Sequence, residues 1–290
     1  MSDLPSPLAV VCHDAGAANL ALAWLEAMPA RPCRSVMRGP AHTLAARSSW
    51  QGTPCNTLEQ ALSGASALLS GTGWASDLEH QARVLARRLG IHSVAVLDHW
   101  VNYGERFIRD GSTVWPDEFW VADTEALTEA RRCFPGAVVR QQPNLYQERL
   151  VRTISAATQA AVLYLLEPAR SDWGRGEPGE FQALDYFMQH RMAVGIAPGT
   201  PVRLRPHPSD PPDKYSAWLA RHADAMLDTH TDLAAAIGAA QWVAGCETAA
   251  LPIALAAGRR VICTLPPWAP ECRLPQRGLI HLKRVAPDHT

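Results

Sequence analysis

The feature that most constrains the fold is a repeated alternation of short apolar runs with longer segments of helical period. "LAVVC" at 8–12 leads through a Gly-containing turn into "ANLALAWLEAM", where Leu20, Trp24 and Met28 recur at helical spacing. "SALLSGTGWASDLEHQARVLARRLG" repeats the unit with a strand, a Gly-Thr-Gly turn and Ser76 and Glu79 at capping-box spacing. Leu78, Ala82, Leu85 and Leu89 then fall on one helical face, and Gly90 is the stop. "IHSVAVLDHW", "EFWVADTEALTEARRCF" and "AVVRQQPN" continue the alternation to about Leu150. A second series follows, with strands in "AVLYLLEP", "VRLRP", "AMLDT", "WVAGC" and "RVICTLP". Its helices lie in "FQALDYFMQHRMA", "KYSAWLARHA", "DLAAAIGAA" and "TAALPIALAAG". Apolar strands interleaved with amphipathic helices predict parallel sheets covered on both faces. Two tandem series predict two Rossmann-like α/β domains, 1–150 and 151–290, facing across a cleft and hinged near Tyr146–Arg152.

Composition excludes several classes. At 290 residues, 47% hydrophobic and 19% charged, the chain has ample material for two cores. A net charge of −1 without a Lys/Arg block gives no general attraction to nucleic acid. The seven cysteines (Cys12, Cys33, Cys55, Cys133, Cys246, Cys263 and Cys272) are odd in number, scattered and without a C-x-x-C pair. They fit a reduced, cytoplasmic protein and give no metal-site spacing. The start "MSDLPSPLAVVCHDAG" lacks the basic, apolar pattern of a signal peptide, and no run reaches the roughly 20 apolar residues of a membrane span. Membrane contact is expected to be peripheral at most. P-loop, G-x-G-x-x-G, H-E-x-x-H and G-x-S-x-G signatures are absent from the sequence.

In open α/β sheets, ligands bind beyond the carboxyl ends of the strands. That rule selects His13 and Asp14, Gly71–Gly73, and Asp98 and His99 in the first half. In the second it selects Arg205 and His207, and Gly245–Thr248. In "PVRLRPHPSD", Pro206 and Pro208 fix the backbone on either side of His207, while Arg205 offers a planar fork suited to phosphate. In "GCETAALPIALAAGRRVI", Gly245 follows a strand, and Glu247 and Thr248 lead into a small-residue helix whose free N–H groups would favour an anion, with Glu247 accepting from ribose hydroxyls. The ordinary reading of Thr248 is a helix cap, and that of His207 an exposed turn.

"RPHPSD", "DLAAAIGAAQWVAG" and "ETAALPIALAAGRRVI" together resemble the C-terminal half of GT-B glycosyltransferases. The His-Pro element is most similar to that of bacterial sialyl-, polysialyl- and Kdo-transferases and of teichoic acid glycerophosphotransferases. The resemblance covers Arg203 to Leu265. It implies a nucleotide site made of Arg205, His207, Pro208, Gly245, Glu247 and Thr248, with no cofactor and no metal. "CET" stands where the polysialyltransferase type has paired serines, which leaves UDP or GDP open beside CMP.

The resemblance leaves the acceptor and the base to the N-terminal half. Asp14 and Asp98 lead as candidate bases, followed by His13 and His99, because transfer to a hydroxyl needs a group that accepts its proton. Gly16, Asn19, Trp100 and Tyr103 are the candidate acceptor contacts, aromatic faces being suited to sugar rings. Gly71 to Gly73 reads either as a close approach to a donor phosphate or as a tight turn. The expected function is transfer of a sugar from a nucleotide donor to a hydroxyl of a glycan, lipid-linked or protein acceptor. Hydrolysis or 2-epimerisation of a nucleotide sugar on the same scaffold, and a non-catalytic nucleotide-binding module, are the rival expectations.

Overall fold

The computed structural model describes residues 4–157, 159–169, 171–207 and 210–286. The chain divides into two compact units, Met1–Tyr146 and Gln147–Thr290. In the first, strands β1 (Leu8–Cys12), β2 (Cys33–Met37), β3 (Thr53–Pro54), β4 (Ala67–Ser70) and β5 (His92–Leu97) precede a small hairpin, β6 (Ile108–Arg109) and β7 (Ser112–Thr113). Strands β8 (Glu118–Val121) and β9 (Val138–Gln141) complete the unit. Helices α1 (Ala15–Ala27), α2 (Gly39–Arg47), α3 (Leu58–Leu62), α4 (Leu78–Leu89) and α5 (Thr124–Cys133) connect them, and α6 (Leu145–Thr153) leads into the second unit.

The seven-stranded sheet is parallel, in the order β3-β2-β1-β4-β5-β8-β9. Strand order reverses between β1 and β4, so the loops after these two strands flank the switch point where α/β sheets bind ligands. Both faces of β1 are buried, as a covered parallel sheet requires. Leu8, Val10 and Cys12 pack with Leu20, Trp24 and Trp120, while Ala9 and Val11 pack with Val36, Leu68, Ala82 and Ala86. Trp24 meets Trp120 edge to face at 5.5 Å and donates its indole N–H to the Pro143 carbonyl at 2.7 Å.

The second unit has a six-stranded parallel sheet, β12-β11-β10-β13-β14-β15. Its strands are β10 (Val162–Leu165), β11 (Val202–Arg205), β12 (Ala225–Leu227), β13 (Trp242–Gly245), β14 (Arg260–Cys263) and β15 (Ile280–His281). The helices are α7 (Gly179–His190), α8 (Ser216–Leu219), α9 (Leu233–Gly238), α10 (Ala250–Ala256) and α11 (Leu282–Val285). Order reverses between β10 and β13. Val162, Tyr164, Val202 and Leu204 pack with Leu184, Tyr186, Phe187 and Trp218 to form the core. Both sheets match the expected α/β class.

Three local expectations are corrected. Helix α4 starts from Asp77 without a capping box, because Glu79 turns inward. Its buried face carries Glu79, Ala82, Arg83 and Ala86, whereas Leu89 is 54% exposed. The helix expected in "KYSAWLARHA" is a single turn. His222 Nδ1 bonds the Trp218 carbonyl at 2.9 Å, the oxygen that the His222 amide would take in a continuing helix. Helix α10 begins at Ala250 and has seven residues, so Glu247 and Thr248 precede it rather than form its first turn.

Candidate functional site

At the first switch point, two carboxylates occupy the backbone donors. Glu79 is 1% exposed, and its oxygens accept from the His13 amide at 2.9 Å and the Gly73 amide at 2.6 Å, tying the loop after β1 to the loop after β4. Burial pushes the Glu79 carboxyl above its ordinary value, which the two amides and Arg83 offset only in part. One turn further along α4, Arg83 donates to the Gly71 carbonyl at 2.8 Å. Burial lowers its guanidinium to about 10, with the Glu79 charge opposing the change.

Asp14 Oδ2 accepts from the Trp74 amide at 3.0 Å, and Oδ1 lies 2.7 Å from His13 Nδ1. A carboxylate can only accept, so Nδ1 carries the proton and Nε2 is left as the basic nitrogen. The His13 and Asp14 side chains are 20% and 28% exposed. This Asp–His contact fixes the tautomer and orientation of the imidazole.

Glycines make the arrangement possible. A Cβ on Gly71 would lie 2.2 Å from Glu79 Oε1, one on Gly73 would lie 2.0 Å from Asp14 Oδ2, and one on Gly39 would lie 2.7 Å from His13 Nε2. The Gly-Thr-Gly turn therefore admits two protein carboxylates.

Asp98 Oδ1 accepts from the nearly buried Arg106 at 2.8 Å, and its Oδ2 packs against Gly16. Gly16 lies in the first turn of α1. Asn19, one turn on, is half-buried. His99 Nδ1 accepts from the Trp100 amide at 2.9 Å. Trp100 is half-buried and donates its indole N–H to Asp123, the N-cap of α5. Tyr103 is 2% exposed and packs among Phe107, Phe119 and Phe134, so it has no face to offer a sugar.

In the second unit, Arg205 Nη1 donates to Asp228 at 2.6 Å and to the His230 carbonyl at 3.0 Å. Asp228 also bonds His230 Nδ1 at 2.5 Å. Burial tends to raise the Asp228 carboxyl, but these two partners outweigh it and hold it below the ordinary range. His207 is exposed, and its amide donates to Asp210, which also accepts from Lys214 and Tyr215. Asp210 thus anchors the loop that the prolines were expected to fix. Pro208 lies outside the described residues.

Gly245 ends β13, where a Cβ would meet the Leu165 carbonyl at 2.8 Å, so close strand packing accounts for this glycine. Thr248 Oγ1 accepts from the Ala250 amide. The Glu247 amide donates to Glu167 at 2.6 Å, bridging the two loops of the second switch point. Burial raises the Glu167 carboxyl to about 7, aided by the Glu247 charge and opposed by the Glu247 amide and Arg273. Arg273, 52% exposed, grips the Glu247 carboxylate through its guanidinium at 2.8 Å and its amide at 2.6 Å. Expected and unexpected residues thus meet at both strand ends. Glu79, Arg83, Arg106, Glu167, Asp228, His230 and Arg273 were not among the expected site residues.

No family model matches the sequence, and no curated protein matches it. Solved structures do resemble it in fold. An S. aureus MnaA–UDP structure aligns with TM-score 0.62 and 11% identity over 88% of this chain and 78% of its own. The UDP-GlcNAc 2-epimerase of Methanocaldococcus jannaschii aligns with TM-score 0.55 and 8% identity over 88% and 83%. The glycotransferase of kitacinnamycin aligns with TM-score 0.52 and 12% identity over 89% and 80%. No described helix is long and apolar enough to cross a membrane. Two parallel α/β sheets and these likenesses establish a GT-B-like fold.

Proposed function

We propose that this chain is a glycosyltransferase that moves a sugar from a CMP- or UDP-sugar to an acceptor hydroxyl. The observation that carries the reading is the His13–Asp14 pair at the first switch point, held by Glu79 through the His13 amide. In the proposed step, His13 Nε2 takes the acceptor proton. The acceptor oxygen bonds the anomeric carbon, and the sugar–phosphate bond breaks with its electron pair on the nucleotide. Asp14 orients the imidazole and stabilises its charged form, so the geometry favours His13 over Asp14 as base. Asp98, held by Arg106, is assigned to positioning α1 through Gly16. The nucleotide is assigned to the second unit, where Arg205, His230 and Arg273 stand near strand ends beside His207 and Glu247.

A second reading, epimerisation at C2 of a UDP-sugar or its hydrolysis, is favoured by Glu167. A carboxyl titrating near 7 beside Glu247 is suited to removing and returning a proton.

The test measures nucleotide release from a panel of CMP- and UDP-sugars, with and without pooled glycan acceptors. His13→Gln is expected to lower acceptor-dependent release by about 10²–10⁴-fold with nucleotide affinity unchanged. Undiminished release from this variant would sink the assignment of the base. Acceptor-independent release of free sugar, or solvent deuterium entering the recovered UDP-sugar, would select the second reading.

A further inference from the structure

The register of β14 and β15 pairs Cys263 with His281, so their side chains stand on the same side of adjacent strands, about 4.8 Å apart along the sheet. Cys272, from the loop between these strands, joins them. One ligand atom from each of the three residues lies within 4.8 Å of the others. A tetrahedral zinc with sulfur ligands at about 2.3 Å spaces neighbouring donors by about 3.8 Å, so a small contraction completes the set. His281 Nδ1 is a second sign of a ligand, being buried without a hydrogen-bond partner among the described residues.

We propose that Cys263, Cys272 and His281 form a zinc site, with water in the fourth position. Two thiolates and a neutral imidazole select a borderline-soft ion over Mg²⁺ or Ca²⁺, and the thiolates cancel its charge, which limits the cost of partial burial. Binding releases two thiol protons per ion, and Cys263 gives up its S–H contact with the Cys246 carbonyl. The loop at 264–279 contains Pro266, Pro267, Pro270 and Pro275, which supply no backbone donors, and β15 has two residues. The ion would hold this sparsely bonded segment to the sheet. Cys272 adjoins Arg273, so the same ion would fix the guanidinium that grips Glu247. The spacing C-x8-C-x8-H has no short pair and becomes a ligand set only through the strand register.

Reduced, metal-free protein titrated with Co²⁺ should develop sulfur-to-metal charge-transfer absorption and the visible bands of tetrahedral cobalt at one ion per chain, and Zn²⁺ should abolish them. Cys272→Ser and His281→Gln, checked for parental circular dichroism, should weaken binding at least tenfold, while Cys55→Ser should not. Absence of these bands, or bands indifferent to Cys272→Ser, overturns the site. Should those variants not fold, the parent still decides the matter. Zn²⁺ should slow alkylation of Cys272 by iodoacetamide, read by peptide mass, and an unchanged rate refutes the proposal. A Cys263–Cys272 disulfide recovered from protein made under reducing, zinc-replete conditions also overturns it.

Discussion

Replacing Glu167 by Gln tests whether the second switch point holds a carboxyl that resists ionisation. Gln keeps the shape, and its carbonyl can accept from the Glu247 amide as Glu167 Oε1 does at 2.6 Å. It lacks the negative charge that Glu167 places beside the Glu247 carboxylate. Raising a carboxyl from 4.5 to about 7 corresponds to about 3 kcal/mol of extra proton affinity in the folded state. Because the folded value lies above the unfolded one, this contribution to stability is fully present below the unfolded value of 4.5 and is lost as pH rises through about 7.

The parent should therefore lose roughly 2–3 kcal/mol relative to Glu167→Gln between pH 5 and pH 8, other groups titrating alike in both proteins. Denaturant unfolding at half-unit pH steps, followed by circular dichroism and tryptophan fluorescence, reads the difference directly. The curves should converge at low pH, with the variant the more stable above pH 7. A difference flat across this range would refute the account of burial and like-charge repulsion. A difference of opposite sign would mean that Arg273 dominates the site and lowers the carboxyl.

Two further outcomes follow from the packing. Gly73→Ala should abolish most turnover, because its Cβ would lie 2.0 Å from Asp14 Oδ2, while Gly104→Ala, in open space at φ −64°, should shift stability by no more than about 1 kcal/mol. Equal effects on nucleotide release from the two variants would contradict the role given to the Asp14 carboxylate. Arg205→Ala should destabilise the second unit by about 3 kcal/mol because it strips a partner from the fully buried Asp228, and adding Asp228→Asn should restore part of the loss. A parental melting temperature in Arg205→Ala would show that the ion pair is not structural.

The legible part of this fold was the part with strong period. "LAVVC", "SALLS" and "HSVAVL" are fully apolar or nearly so because covered parallel strands bury both faces, and each is a strand in the structure. "CRSVM" is also a strand, but exposed Arg34 interrupts its apolar run, and β3 consists of Thr53 and Pro54, too short to carry a period. The strand-end rule picked out His13, Asp14 and Glu247, which lie in the loops after β1 and β13. Glu79 was hidden because its spacing from Ser76 reads as a capping box, whereas in the structure it lies with Arg83 on the buried face of α4. Tyr103 misled for the opposite reason: an aromatic near a strand end looks like a ligand contact until the fold packs it against Phe134.

The use of the strand-end donors supports giving different substrates to the two units. In the first, the amides of His13, Gly73 and Trp74 are engaged by the Glu79 and Asp14 carboxylates, and Arg83, Arg106 and Arg109 each bond protein carbonyls or carboxylates. A phosphate there would have to displace bound anions and accept their repulsion, so these loops are poorly suited to the site that dinucleotides occupy in Gly-rich Rossmann turns. A neutral hydroxyl faces no such cost and finds an oriented imidazole. In the second unit, Glu167 loses its charge by taking up a proton near neutrality, Arg273 is half exposed, and His230 is 29% exposed beside a buried carboxylate. There the charge balance can move toward an incoming donor phosphate without breaking a buried clamp. That asymmetry favours the donor on the second unit and the proton acceptor on the first.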